Sequence, residues 1–175
     1  MQNLRLFAGN ILRMIQLTND ILIPQIAEQI KNGYTVTLPL KGFSMRPFLE
    51  DGRDKALLVA VPAELHVGDV ILAEISPQRW ALHRIVNISG DDITMYGDGN
   101  FSPEYIKRKD VIALATGFYR KGKDTLDSVD STLYIIYWKM WVRLRPVRRY
   151  LLGIWRLWHY PKATIKLISK KINKS

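Results

Sequence analysis

Short segments rich in β-branched residues, or alternating between apolar and polar side chains, follow one another from residue 34 to residue 119. They cover residues 34–38, 56–61, 70–75, 80–88, 93–96 and 111–119. Turn-forming pairs such as Gly68-Asp69 and Gly90-Asp91 separate them. Several short strands at this spacing predict a mainly β fold, built as a coiled antiparallel sheet or a partial barrel.

Helical patterns flank the β-rich region on both sides. A helix is predicted over residues 21–31, with capping residues at 18–20, Pro24 in its first turn and Gly33 at its end. An apolar stripe predicts an earlier helix over residues 4–17. The predicted organisation is therefore N-terminal helices (1–33), a β domain (34–120), a polar linker (121–131) and a basic, aromatic, amphipathic helical tail (132–175).

Composition narrows the classes of protein and of site. The chain has 175 residues, 47% of them hydrophobic, which suits one domain with a real core. It has no cysteine, and its histidines, His66, His83 and His159, share no metal-binding spacing, so we expect neither a metal nor a cofactor. There is no apolar run long enough for a transmembrane helix, and Arg5 and Arg13 interrupt the N-terminal apolar residues. These features predict a cytoplasmic protein without an N-terminal anchor.

The net charge of +10 is concentrated in the tail, where residues 131–175 contain eleven Lys or Arg and no Asp or Glu. Pro146 is predicted to start a helix there. One face of that helix would carry Val147, Tyr150, Leu151, Ile154, Leu157 and Trp158. Three interpretations of the tail stay open: a helix on an anionic membrane surface, such as the inner face of the cell membrane, a docking site for an acidic partner, or a helix packed on the β domain. Nucleic acid is not expected, because the acidic residues lie in the body of the chain.

Ser44 is a candidate nucleophile. Gly42 before it and Pro47 after it predict a constrained turn between a strand and a short helical segment. Such a turn can expose a side chain beside backbone N–H groups that stabilise an oxyanion. The alternative is that Ser44 only caps a helical turn over residues 47–49.

A serine hydroxyl attacks efficiently only when a base accepts its proton, so the other polar residues of the β region matter. His83 lies within the strand predicted over residues 80–88, and Asp98 lies in a glycine-rich turn over residues 97–100. A single strand histidine can equally be packed or hydrogen-bonded without any catalytic role. The candidate catalytic residues are therefore Ser44, His83 and Asp98.

Several motifs occur in a fixed order along the β region. They are Gly42-Phe43-Ser44-Met45-Arg46-Pro47-Phe48-Leu49, Gly52-Arg53-Asp54, Val67-Gly68-Asp69-Val70-Ile71-Leu72, Leu82-His83-Arg84-Ile85-Val86 and Gly97-Asp98-Gly99-Asn100. In order and spacing, this set resembles the signal peptidase I and LexA-like serine peptidases. The resemblance covers about residues 34–118, roughly half of the chain.

This resemblance implies a β fold of the signal-peptidase and LexA-like type, and a role for each matching residue. Ser44 corresponds to the nucleophile, and the His83-Arg84 pair to the His-Arg pair of the endoplasmic-reticulum-type signal peptidases, in which histidine replaces the lysine base. Asp98 would orient His83, and Glu104 stands where these enzymes tend to have a second acid. The activity that the resemblance implies is that of a serine endopeptidase acting through Ser and His on a peptide or protein substrate.

The chain also departs from the family pattern. Arg53 separates Gly52 from Asp54, where the family has a contiguous Gly-Asp, and Gly42 replaces a hydroxyl residue that assists the oxyanion hole in many bacterial signal peptidases. The missing N-terminal anchor leaves a signal-peptide substrate open. Two other functions remain open as well: a peptide-binding module that does not cleave, and a LexA-like regulator that cleaves itself.

Overall fold

The computed structural model describes residues 19–159, and every structural statement below concerns these residues. Helix α1 (Asn19–Lys31) buries Ile23, Ile26 and Ile30 on one side, as their helical spacing predicts. The chain leaves the helix at Gly33, whose positive φ of 86° suits a residue without a side chain. Pro24 lies inside the helix, beyond the first turn. The helix predicted over residues 4–17 falls outside the described part of the chain.

The described residues form one mainly antiparallel sheet of eight strands that is not closed. Its strands are β1 (Val36–Pro39), β2 (Lys55–Val59), β3 (Val70–Ser76), β4 (Arg79–Ser89), β5 (Asp92–Tyr96), β6 (Glu104–Lys107), β7 (Val111–Tyr119) and β8 (Leu126–Ser128). The strand order is β1-β2-β7-β3-β4-β5-β6, and β8 pairs with the end of β7. The predicted class, mainly β with flanking helices, is therefore confirmed.

The six strands predicted from the sequence are all present, with ends displaced by no more than two residues. Two strands were not predicted. Strand β6 has only four residues, and β8 lies inside the segment predicted to be a polar linker. Strand β6 is held by pairing with β5, and β8 by pairing with β7. Their own residues therefore show little of the pattern that predicts a strand from sequence.

The centre of the sheet is covered on both faces. Residues Val70 to Ala73 of β3 and Leu82 to Ile85 of β4 are all buried. Because successive strand residues point to opposite faces, these strands contribute to two separate apolar clusters. The first contains Val70, Leu72 and Leu82 together with α1, and the second contains Ile71, Ala73 and Ile85 together with β5 and β6.

Two further helices follow β8. Helix α2 (Thr132–Arg143) begins at Ser131, whose hydroxyl accepts from the Tyr134 N–H at 3.3 Å, and it buries Tyr134 and Trp141 against the sheet. Gly68 lets the α2 side chain of Trp138 approach closely, since a Cβ on Gly68 would lie 2.6 Å from the indole ring. Helix α3 (Arg148–His159) comes next. Among residues 19–159, no helix has both the length and the apolar character needed to cross a bilayer.

Helix α3 does not turn its predicted apolar stripe toward the domain. Among the helix side chains that the structure describes, Arg148 and Leu152 are buried, whereas all six residues of the predicted stripe are exposed. The packing interpretation of the tail therefore holds for α2 but fails for the apolar face of α3. The apolar spacing alone predicts the opposite orientation, because buried Arg148 lies off the predicted stripe.

Candidate active site

Ser44 lies in a turn that its neighbours anchor in the core. Met45, Phe48 and Leu49 are buried, whereas Ser44 is half-buried. The Leu49 N–H donates to the Met45 carbonyl at 3.0 Å, and the Arg46–Pro47 peptide bond is cis. The segment consists of turns and contains no helix, so there is no helix N-terminus here for Ser44 to cap. The predicted constrained turn is present, but the predicted short helix is not.

Asp54 holds the far end of this turn in place. Its buried carboxylate accepts from the Glu50 N–H at 2.8 Å, the Lys121 N–H at 2.9 Å and the guanidinium of Arg53 at 2.7 and 2.8 Å. Burial by itself raises the pKa of Asp54, but the hydrogen bonds from Arg53 and from the two backbone groups outweigh it and lower the pKa below its ordinary value. Asp54 thus joins the nucleophile turn to the segment after β7.

His83 and Glu104 form a hydrogen-bonded pair. His83 is 3% exposed within β4, and its Nδ1 bonds to Oε2 of Glu104, the first residue of β6. An ionised carboxylate only accepts hydrogen bonds, so Nδ1 carries the hydrogen and a neutral ring has its lone pair on Nε2. Glu104 therefore fixes both the orientation and the tautomer of His83.

His83 Nε2 and the backbone carbonyl of Ser44 both lie against Gly97. A Cβ placed on Gly97 would lie 2.9 Å from His83 Nε2 and closer still to the Ser44 carbonyl oxygen, so a side chain at this position would clash with both groups. The next glycine has a similar role, because the Gly99 N–H donates to the same Ser44 carbonyl at 2.6 Å. The glycines of the 97–100 loop are thus explained by its close packing against the Ser44 turn.

The structure pairs Asp98 with Arg84 and not with His83. The guanidinium of Arg84 donates to both carboxylate oxygens of Asp98, from Nε at 3.0 Å and from Nη2 at 2.8 Å, and both side chains are buried. The prediction that Asp98 orients His83 is thereby replaced. Arg84 follows His83 in β4, so the two side chains point to opposite faces of the sheet, and Asp98 lies on the Arg84 face.

The buried ion pair has further partners. Arg84 Nη1 donates to the Gly68 carbonyl at 2.9 Å and to the Tyr134 hydroxyl oxygen at 2.8 Å. Burial alone would lower the pKa of Arg84, but the adjacent Asp98 carboxylate prevails and raises that pKa above its ordinary value. Arg84 therefore stays cationic beside Asp98 in the folded protein.

Helices α2 and α3 hold the 97–100 loop from outside. Trp141 Nε1 donates to the Asp98 carbonyl at 2.9 Å, the Tyr137 hydroxyl donates to the Asp98 carboxylate at 3.4 Å, and Arg148 Nη2 donates to the Asn100 carbonyl. Burial, followed by the Asp98 charge, raises the pKa of Tyr137, so this hydroxyl stays protonated as a donor. Sequence reasoning assigned these residues to a separate tail, although Tyr134, Tyr137 and Trp141 have the spacing of one buried helix face.

Two cavities meet at Ser44. The smaller, of about 250 Å³, lies between the Ser44 turn and strands β3 and β4, and its lining includes His83 and Glu104. The larger, of about 890 Å³, lies on the other side of the turn, against α3. Its lining consists of Phe43, Ser44, Arg46, Gly99, Asn100, Phe101, Arg149, Leu152, Gly153 and Trp155.

The wall of the larger cavity is aromatic and cationic. The Arg46 guanidinium lies 3.9 Å from the centroid of the Phe43 ring and 5.7 Å from that of Trp155, and it also bonds to Glu50. Arg46 thus connects the nucleophile turn to α3. Ser44 thus borders a small cavity that contains His83 and a wider cleft with aromatic residues in its wall.

Comparisons of the chain with models of protein families and with curated proteins give no match.

Proposed function

We propose that the protein is a serine endopeptidase of the signal-peptidase-like class, with Ser44 as nucleophile and His83 as general base. The observation that carries this proposal is that Ser44 and His83 line one small cavity, where the bond between His83 Nδ1 and Glu104 makes Nε2 the acceptor of a neutral ring. The fold is taken to be of the signal-peptidase and LexA-like type. Its open antiparallel sheet is consistent with that assignment.

In the proposed reaction, Nε2 of neutral His83 accepts the proton of the Ser44 hydroxyl as Oγ forms a bond to a peptide carbonyl carbon. The imidazolium then donates that proton to the leaving amine as the carbon–nitrogen bond breaks, and an acyl-enzyme results. A water molecule then attacks the acyl-enzyme in the same way: His83 accepts its proton and returns that proton to Ser44 Oγ as the ester bond breaks. The carboxylic acid product is released. Glu104 is a positioning residue, because its carboxylate stabilises the imidazolium through Nδ1.

The oxyanion is assigned to backbone N–H groups, chiefly that of Ser44, since Gly42 supplies no hydroxyl. The Gly42 N–H is itself used by the Asp51 carboxylate, at 2.7 Å. A well-placed donor contributes about 3 kcal/mol to an acyl-transfer transition state. Asp98 has a different role in this scheme, because it holds the 97–100 loop against the Ser44 turn.

The test is covalent labelling with a fluorophosphonate, which phosphonylates activated serines. Wild type is compared by intact mass and peptide mapping with Ser44→Ala, with His83→Ala and with the control Ser89→Ala, an exposed serine at the end of β4. We expect one adduct on Ser44 in the wild type and the control, none in Ser44→Ala, and labelling about 10²- to 10⁴-fold slower in His83→Ala.

The contrary outcomes of this experiment can be told apart. Labelling that persists in Ser44→Ala would overturn the assignment of the nucleophile. A folded wild type that binds peptides but never labels would be a peptide-binding module. Fragments that form at alkaline pH in the wild type and not in Ser44→Ala would indicate a self-cleaving regulator.

A further inference from the structure

Helix α3 presents its apolar residues to solvent. Leu152 packs inward with 7% of its surface exposed, whereas Ile154 is 59% and Trp158 is 82% exposed. The outward face is defined here as Val147, Tyr150, Leu151, Ile154, Leu157 and Trp158. A surface helix of a globular domain normally turns such a stripe toward the core. This outward face is therefore a surface for something other than the β domain.

The charge around the outward face is of one sign. Lys139, Arg143, Arg145 and Arg149 are exposed on α2, α3 and the turn between them. In the sequence, residues 131–175 hold eleven basic residues and no acidic one. A second copy of the chain would bring the same positive charge against this surface, so a partner of opposite charge is favoured.

We propose that the outward face of α3 binds the surface of an anionic lipid bilayer. At 1.5 Å per residue, a helix of 12 residues is about 18 Å long, too short to cross the apolar layer of a bilayer but suited to lie in its plane. Tyr150 and Trp158 are the aromatic types that favour the interfacial region. Leu and Ile side chains would enter the acyl boundary while basic residues such as Arg145 contact lipid phosphates.

Binding in this orientation would bring the larger cavity close to the bilayer. Arg149, Leu152 and Trp155 of α3 line that cavity, and Phe43 and Phe101 on its other wall are 57% and 64% exposed. The position of Ser44 near the lipid surface matters only if the proposed function is right, and this is the one part of the inference that rests on it. The lipid contact itself uses no residue of the proposed catalytic site.

Cosedimentation of the full-length protein with vesicles tests the proposal. The vesicles are pure phosphatidylcholine, or an equal mixture of phosphatidylcholine and phosphatidylglycerol. We expect binding to the mixed vesicles that is weaker in high salt, and little binding to phosphatidylcholine alone. The variant Ile154→Gln/Trp158→Gln keeps the charge and should bind at least about tenfold more weakly. The matched control Tyr34→Gln, at an aromatic residue that is 62% exposed in the loop between α1 and β1, should bind like wild type.

Tryptophan emission reports where the contact is made. It should shift to the blue when wild type binds mixed vesicles, and the shift should be smaller in Trp158→Phe although that variant still sediments. Equal binding by wild type and the Gln double variant would overturn the proposal. So would a dimer that the Gln double variant abolishes, or protection of Trp158 from acrylamide without lipid, since another protein surface would then cover the face. Ser44→Ala should bind vesicles like wild type, so the lipid and labelling tests can fail independently.

Discussion

Two acidic residues near His83 have separate roles because they lie in different surroundings. Glu104 is partly exposed, at 23%, and its only described partner is the imidazole of His83. Asp98 is 2% exposed and forms a two-point ion pair with buried Arg84. Neutralising Glu104 therefore leaves no buried charge without a partner. Neutralising Asp98 leaves the buried guanidinium of Arg84 without its counter-charge.

We therefore predict that Glu104→Gln and Asp98→Asn separate reactivity from stability. Glu104→Gln should slow fluorophosphonate labelling of Ser44 by about 10²- to 10⁴-fold with little change in the free energy of unfolding, because the amide no longer fixes the tautomer of His83 or stabilises the imidazolium. Asp98→Asn should lower the free energy of unfolding by about 3–5 kcal/mol. Labelling rates and urea titrations on both variants check this. Unchanged labelling in folded Glu104→Gln would contradict the role given to Glu104.

The sequence indicated Ser44 and His83 as candidate site residues, but it did not show that Glu104 pairs with His83 and Asp98 with Arg84. The ordered motifs suggested one site, and the structure places both residues on one small cavity. Which acid reaches His83 depends on the register that sets Glu104 opposite Met95 in the β5–β6 pairing. That register is a property of the folded sheet, since the four residues of β6 carry no pattern strong enough to define a strand.

Helix α2 is a support for the site and not a separate tail. It reaches the 97–100 loop through Trp141 and Tyr137, and its Tyr134 ring packs against Phe48, with ring centroids 5.3 Å apart, next to the Ser44 turn. The aromatic residues in this region were recognised in the sequence. Their direction was not, because a helix rich in aromatic and basic residues can bury its rings in a membrane interface or against its own domain.

At the level of this helix, we predict that Trp141→Phe destabilises the protein and slows labelling of Ser44 together. Phenylalanine fills most of the space but leaves the Asp98 carbonyl without its donor, which costs about 1–3 kcal/mol. The loop that packs on the Ser44 turn loosens as a result. The control is Ile136→Ala on the same helix, where the side chain is 57% exposed and both quantities should stay near wild type.

A labelling rate that is unchanged in Trp141→Phe despite lower stability would limit α2 to a structural role. The measurements are labelling kinetics at a temperature where both variants are folded, and the midpoint of thermal unfolding. A temperature well below that midpoint keeps unfolded protein from lowering the apparent rate.

Across the whole molecule, buried charged groups connect segments that are far apart in sequence. Asp54 joins the turn after Ser44 to Lys121 beyond β7, and Arg84 joins β4 to the 97–100 loop and to α2. The overall class of fold could be predicted from strand spacing and helix periodicity. These connections could not, because each pairs residues whose contact is decided only when the sheet and helices pack.

Asp54 should make the stability of the whole domain depend on acid. Its pKa is lowered in the folded protein from an ordinary value of 3.8, so folding favours the ionised carboxyl. The resulting stabilisation is fully present above that value and is lost as the pH falls through it toward the lower folded pKa. In Asp54→Asn, we expect the free energy of unfolding to be lower by about 1–3 kcal/mol at neutral pH, since the amide turns its own donors toward Arg53 and the backbone N–H groups. The free energy of unfolding of Asp54→Asn should also decline less steeply below about pH 4 than that of wild type.

Urea unfolding at a series of pH values measures both effects. The control is Asp124→Asn, at an exposed residue of the loop after β7, whose pH dependence should match that of wild type. The decisive quantity is the difference in slope between Asp54→Asn and wild type in the acid range, because the other carboxyl groups contribute equally to both proteins and cancel. Parallel curves would mean that the network around Asp54 binds its carboxyl no more tightly than water does, and that packing alone joins the Ser44 turn to the end of β7.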